Sequence, residues 1–149
     1  MTITYDMAIG AFLAKITEYD LMDMSPESRE DMVIQYLKTA ASQFRKVCKY
    51  DLVGTMNDTE GEFQVDVAEE DADELLDILS EGMVVQWLKP YIYRQENLEN
   101  ALSTRDFSVF SPAELTYRVS NLYSKAQRDF INMIREYSYN HGDLTVLHL

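Results

Sequence analysis

The chain has 149 residues, a formal net charge of −13 and 46% apolar residues, with only five glycines and three prolines. That length suits one domain with its own core, and the apolar share argues against wholesale disorder. The acidity disfavours direct binding to nucleic-acid phosphates or to an anionic membrane. Few breakers beside many Leu, Met, Glu and Gln residues favour long helices over a many-turned sandwich. The single cysteine, Cys48, permits no intramolecular disulfide. The N-terminus lacks the basic start and apolar run of a signal peptide, and no run reaches the ~18–20 apolar residues that span a bilayer. A protein made in the cytosol is expected. The charge is uneven: residues 103–149 hold five acids and five bases, so the excess of acid lies in residues 1–102.

Residues 5–16 predict a short helix with Ile9, Phe12, Leu13 and Ile16 on one stripe. A polar connector follows from Thr17 to Ser25. Ser25-Pro26-Glu27 has the form of a helix start, with a side-chain acceptor, a proline that loses no bond and an acid at the positive end of the dipole. The helix should run from Pro26 to Cys48 and bury Val33, Leu37, Ala40, Ala41, Phe44, Val47 and Cys48. Residues 50–67 are the least helical part. Gly54, Asn57, Asp58 and Gly61 punctuate it, and Phe63, Val65 and Val67 alternate with polar residues. This predicts a short β-hairpin or an extended loop.

A third helix is predicted from Ala68 to Lys89, with Ala72, Leu75, Leu76, Leu79, Met83, Trp87 and Leu88 inward. Pro90 should break or kink it before a helical stretch from Tyr91 to Leu102. Ser103 to Phe110 reads as a loop. Ser111-Pro112-Ala113-Glu114 is a capping box with proline at the first helical position. The helix after it should reach Tyr139. Leu115, Val119, Leu122, Ala126, Phe130, Met133 and Tyr137 repeat at steps of three and four, enough to pack along two other helices. Gly142 suits a left-handed cap. The expected fold is therefore mainly α: a bundle of four or five helices over residues 1–142, centred on the last helix, and an apolar tail at 143–149.

No catalytic, cofactor or metal site is legible. His141 and His148 have no ligand partners at metal spacing. The run from Asp66 to Asp77 lacks the alternating ligands and glycine of a calcium loop and reads as a charged first turn and a helix face. Cys48 lies on an apolar stripe with no histidine arranged beside it, so it reads as a small buried hydrophobe. The candidate contact residues are of two kinds. Tyr91, Tyr93 and Arg94 form an aromatic and basic patch after Trp87, of a composition that dominates interface energetics. Leu144, Val146, Leu147 and Leu149 in the tail must dock somewhere, on their own domain or as a strand added to a neighbour.

Several segments carry a resemblance. Gly82-Met83-Val84-Val85-Gln86-Trp87-Leu88-Lys89-Pro90, Ala101-Leu102-Ser103-Thr104-Arg105-Asp106-Phe107, Phe110-Ser111-Pro112-Ala113 and Tyr137-Ser138-Tyr139-Asn140-His141-Gly142-Asp143-Leu144 resemble parts of the neck or head–tail connector (adaptor) proteins of tailed bacteriophages. The resemblance covers residues 75–144. It implies a non-enzymatic structural protein of the virion neck, assembled in the host cytoplasm as a homo-oligomeric ring, usually twelve-fold, beneath the portal protein. Such a ring extends the DNA channel without gripping DNA and offers a platform to tail or neck proteins. The competing expectation is an acidic regulatory or inhibitor protein, monomeric or dimeric, that imitates the charge of DNA.

Overall fold

A computed structural model describes residues 1–18, 30–93 and 112–141. Among them are four helices and one small antiparallel hairpin: α1 (Tyr5–Glu18), α2 (Glu30–Phe44), β1 (Met56–Asn57), β2 (Glu62–Phe63), α3 (Glu69–Tyr93) and α4 (Pro112–His141). The mainly α bundle expected from the sequence is the fold observed.

Thr4 caps α1, its hydroxyl accepting the Met7 amide at 3.2 Å. The buried stripe of α1 is Tyr5, Ala8, Phe12 and Ile16, with Ile9 beside it. Leu13, expected inside, is 45% exposed, because at α-helical spacing it falls beyond the edge of that stripe. In α2, Val33, Leu37, Ala40, Ala41 and Phe44 are buried as expected. The helix ends at Phe44 rather than Cys48, and a turn carries the chain onward, leaving Val47 and Cys48 half-buried. The Ser25–Pro26 start lies outside the described residues.

The segment 50–67 forms the hairpin, with Met56 paired to Phe63 and Asn57 to Glu62. Asn57 Oδ1 accepts the amides of Thr59 and Glu60, and Gly61 closes the turn at φ 66°, where a side chain would be strained. The burial alternates as the sequence predicts: Phe63 and Val67 are buried, while Gln64 and Asp66 are exposed. The first residues of the chain lie along this segment. The amides of Phe63 and Val67 donate to the carbonyls of Ile3 and Met1, and the Tyr5 amide donates to Gly61. The N-terminal ammonium pairs with Asp66. The chain start thus covers what would be an open hairpin edge.

α3 is the centre of the bundle, packing against α1, α2 and α4. Every residue from Ile78 to Val85 is buried, as are Trp87 and Leu88. A helix contacted on several sides has no polar face, which is why Ile78, Ser80, Glu81, Val84 and Val85 fall outside the stripe read from the sequence. Its middle carries Gly82. A Cβ there would stand 2.7 Å from the Ala40 Cβ of α2 and 2.8 Å from the Phe130 ring of α4. Three helices therefore meet at one residue without a side chain.

The expected break at Pro90 does not occur; α3 continues through Tyr93. Proline removes one donor and crowds the preceding turn, at about 3 kcal/mol. Burial on both sides opposes that cost: Trp87 and Leu88 before it are core, and Tyr91 and Ile92 after it pack on the core, while Pro90 itself is exposed.

α4 begins at Pro112 as predicted and ends at His141. It buries Val119, Ala126, Phe130 and Tyr137, with Leu122 and Met133 half-buried. Its apolar stripe packs chiefly on α3. α4 is thus an outer helix and not the centre expected from its strong periodicity. The residues 94–111 and the tail 142–149 lie outside the described residues.

Candidate functional site

Three groups of side chains stand out. The first joins the chain after α2 to the start of α3 and the end of α4. The Tyr50 hydroxyl donates to Asp71 Oδ2 at 2.6 Å and accepts the Ala68 amide at 3.2 Å. The hydroxyl thus links the amide and the carboxylate at the start of α3, as a capping box would. Tyr137, fully buried, accepts the Lys49 amide at 3.0 Å. Its ring sits edge-on to Phe44 at 4.8 Å and stacks on His141 at 4.3 Å. His141 Nε2 lies 3.4 Å from Glu74 Oε1.

Cys48 Sγ lies 4.0 Å from the Tyr137 hydroxyl, and burial pushes its thiol above the usual range. A thiol so held is poor in thiolate, so the reading of Cys48 as a small hydrophobe fits its surroundings. Burial likewise raises the Tyr137 phenol. This arrangement acts as a clasp between three distant parts of the chain. Tyr137→Phe is expected to destabilise by about 1–3 kcal/mol, because the Lys49 amide loses its acceptor. A chemical denaturation midpoint equal to wild type would refute the clasp.

The second group lines a shallow depression of about 540 Å³ between the hairpin and α2. Asp58 accepts from Lys38 at 2.6 Å and from the Tyr5 hydroxyl at 2.8 Å. The Lys38 ammonium, then the Tyr5 hydroxyl, holds the Asp58 carboxyl below the usual carboxylate range. Asp58 is exposed and Lys38 half-buried, so solvent screens the pair and it contributes little beyond tying the hairpin turn to α2, as the Tyr5 hydroxyl ties it to α1. A hollow this open does not enclose a bound molecule.

The third group is a surface. Tyr117, Asn121, Ser124, Arg128, Ile131, Arg135 and Tyr139 advance by three or four residues along α4 and so share one face, opposite Val119, Ala126, Phe130 and Tyr137. No acid stands among these seven positions, in a chain of net charge −13. Tyr117 and Tyr139 are 71% and 76% exposed, and Ile131 is 42% exposed. The apolar spacing in the sequence marks only the buried side of this helix. The same count of three and four on its other side, with tyrosine, arginine and isoleucine and no acid, is the signal that marks the second face.

Of the contact residues expected from sequence, Tyr91 is half-buried and packs edge-on to Trp87 at 6.3 Å, so it belongs in part to the core. Tyr93 ends α3. Arg94 and the tail residues Leu144, Val146, Leu147 and Leu149 lie outside the described residues. Among the described residues no cluster of three or more His, Cys, Asp or Glu side chains is placed to hold a metal ion. No described helix is long and apolar enough to cross a membrane. No protein-family model, no curated protein and no solved structure matches the chain.

Proposed function

We propose that this protein is a structural subunit of a bacteriophage neck, a head–tail connector that assembles as a ring beneath the portal and links the DNA-filled head to the tail. The observation that carries the reading is the outward face of α4, where exposed Tyr117 and Tyr139 stand with Arg128, Ile131 and Arg135. Tyrosine and arginine are the residue types from which protein interfaces draw most of their binding energy. The mainly helical bundle and the resemblance over residues 75–144 support the same reading. In that ring the partners are further copies of this chain, the portal protein and tail or neck proteins. DNA passes without specific binding, helped by acidic walls that repel phosphate. The virion neck is the proposed location and the role is not enzymatic. The twelve-fold size comes from the resemblance.

The alternative is an acidic inhibitor that imitates DNA. The exposed acids Glu69, Glu70, Asp73 and Asp77 at the start of α3 favour it, but the arginines on α4 run against a continuous anionic surface.

The full chain is co-expressed with a candidate portal protein from its own source genome, purified through a tag on the portal, and viewed by electron microscopy. Co-purification as a ring seated on the portal is expected. A chain that stays monomeric and never accompanies the portal would overturn the proposal. Capture of a host DNA-binding enzyme by such a monomer would establish the alternative.

A further inference from the structure

The outward face of α4 is exposed, and the charge of the chain points to an occupant for it. Arg128 and Arg135 form no ion pair among the described residues, and with Tyr117, Ile131 and Tyr139 they make a basic, partly apolar strip. The start of α3 carries the opposite charge. Glu69, Glu70 and Asp73 are exposed there, two of them in the first turn, and no ion pair within the described residues engages them. The two patches lie on different helices of one chain, so each copy offers one of each.

We propose that the outward face of α4 is a self-association surface that receives the acidic first turns of α3 from a second copy of this chain. The proposal deepens the connector reading and rests on its self-assembly. Contact between two different patches is head-to-tail, and such contacts close into a ring when the rotation between neighbours allows it. Opposed charge fixes the register and speeds encounter. Like charge turns away wrong pairings, including α4 against α4 and α3 against α3. The tyrosines and Ile131 supply apolar area around the arginines.

The test is a charge exchange in the full-length protein. One variant carries Arg128→Glu and Arg135→Glu; the other carries Glu70→Lys and Asp73→Lys. All four positions are exposed, so circular dichroism melts should stay close to wild type. A neutral variant, Arg128→Gln with Arg135→Gln, gives a second measurement should either reversal unfold.

Self-association is read by light scattering on a sizing column and by sedimentation. Each reversal alone should weaken it by roughly tenfold or more, and the neutral pair should weaken it too. An equimolar mixture of the two reversals should associate again, since each new acidic face meets a new basic one. Wild-type assembly should weaken as salt rises from about 0.1 to 1 M.

A wild-type chain that is monomeric at every concentration would overturn the proposal. So would reversal variants that assemble like wild type, or a mixture that stays apart. Variants that still assemble and still seat on the portal would refute this pairing while leaving the connector reading intact. A chain that passes the exchange test but ignores the portal would do the reverse.

Discussion

Lys15→Met should destabilise the fold by about 3–5 kcal/mol, the effect of removing one partner from a buried charge pair. The ammonium of Lys15, on α1, lies 2.8 Å from Glu81 Oε2 and 2.7 Å from Asp77 Oδ1, both on α3. The Glu81 side chain is only 2% exposed, inside the stretch of α3 from Ile78 to Val85 that is buried throughout. A carboxylate there depends on an opposite charge to offset lost hydration, and methionine supplies the length of lysine without the charge.

The double variant Lys15→Met with Glu81→Leu should recover most of the loss, since two apolar groups of similar volume replace a desolvated pair. A double-mutant cycle in urea measures this coupling. Additive losses would show that the pair does not act as a unit.

The pair also has a sign in pH. Burial pulls the Lys15 ammonium down, but hydrogen bonds to Asp77 and Glu81 and their charge outweigh it and hold the group above the ordinary lysine value. A group raised on folding contributes in full below its unfolded pKa and loses that contribution as pH rises through the folded value. The stability lost in Lys15→Met should therefore persist from neutral pH to about 10. It should shrink only in stronger alkali. A loss that vanished near pH 8 would contradict the assignment.

Phe130→Ala should cost about 3–5 kcal/mol, and Gly82→Ala about 1–3 kcal/mol, for opposite reasons. The ring of Phe130 fills the space over Gly82, and removing it leaves a cavity between α3 and α4. A methyl group at 82 instead meets that ring and the Cβ of Ala40 at distances no relaxed structure tolerates. On an exposed helix Gly→Ala would stabilise by about 1 kcal/mol, so the sign of the change reports directly on the crossing.

The double variant should lose less than the sum, because the shortened residue 130 makes room for the new methyl on one side. Ala40 still opposes it on the other. Thermal and denaturant unfolding of the three variants checks both numbers. A stabilised Gly82→Ala protein would mean that the helices do not approach so closely there.

The four described helices were legible because their apolar residues recur at steps of three and four. Pro112 marked the start of α4, where its missing donor costs nothing. The alternation from Phe63 to Val67 marked the extended segment, and Gly61 marked its turn.

Tertiary structure decided what lies inside. Among the described residues α4 is covered on one side, which gives it the clearer periodicity; α3 reads less clearly because it is covered on several sides. Strong periodicity therefore pointed to the outer helix as the centre. The run through Pro90 was hidden for a related reason: local preference opposes it, and only burial of side chains before and after the proline sustains it. The clasp at Tyr137, the Lys15–Glu81 pair and the cover that residues 1–5 give the hairpin each join positions more than fifty residues apart. Helical spacing carries information over a few turns. Which carboxylate finds its lysine, and which glycine lets three helices touch, depends on how whole elements meet in space.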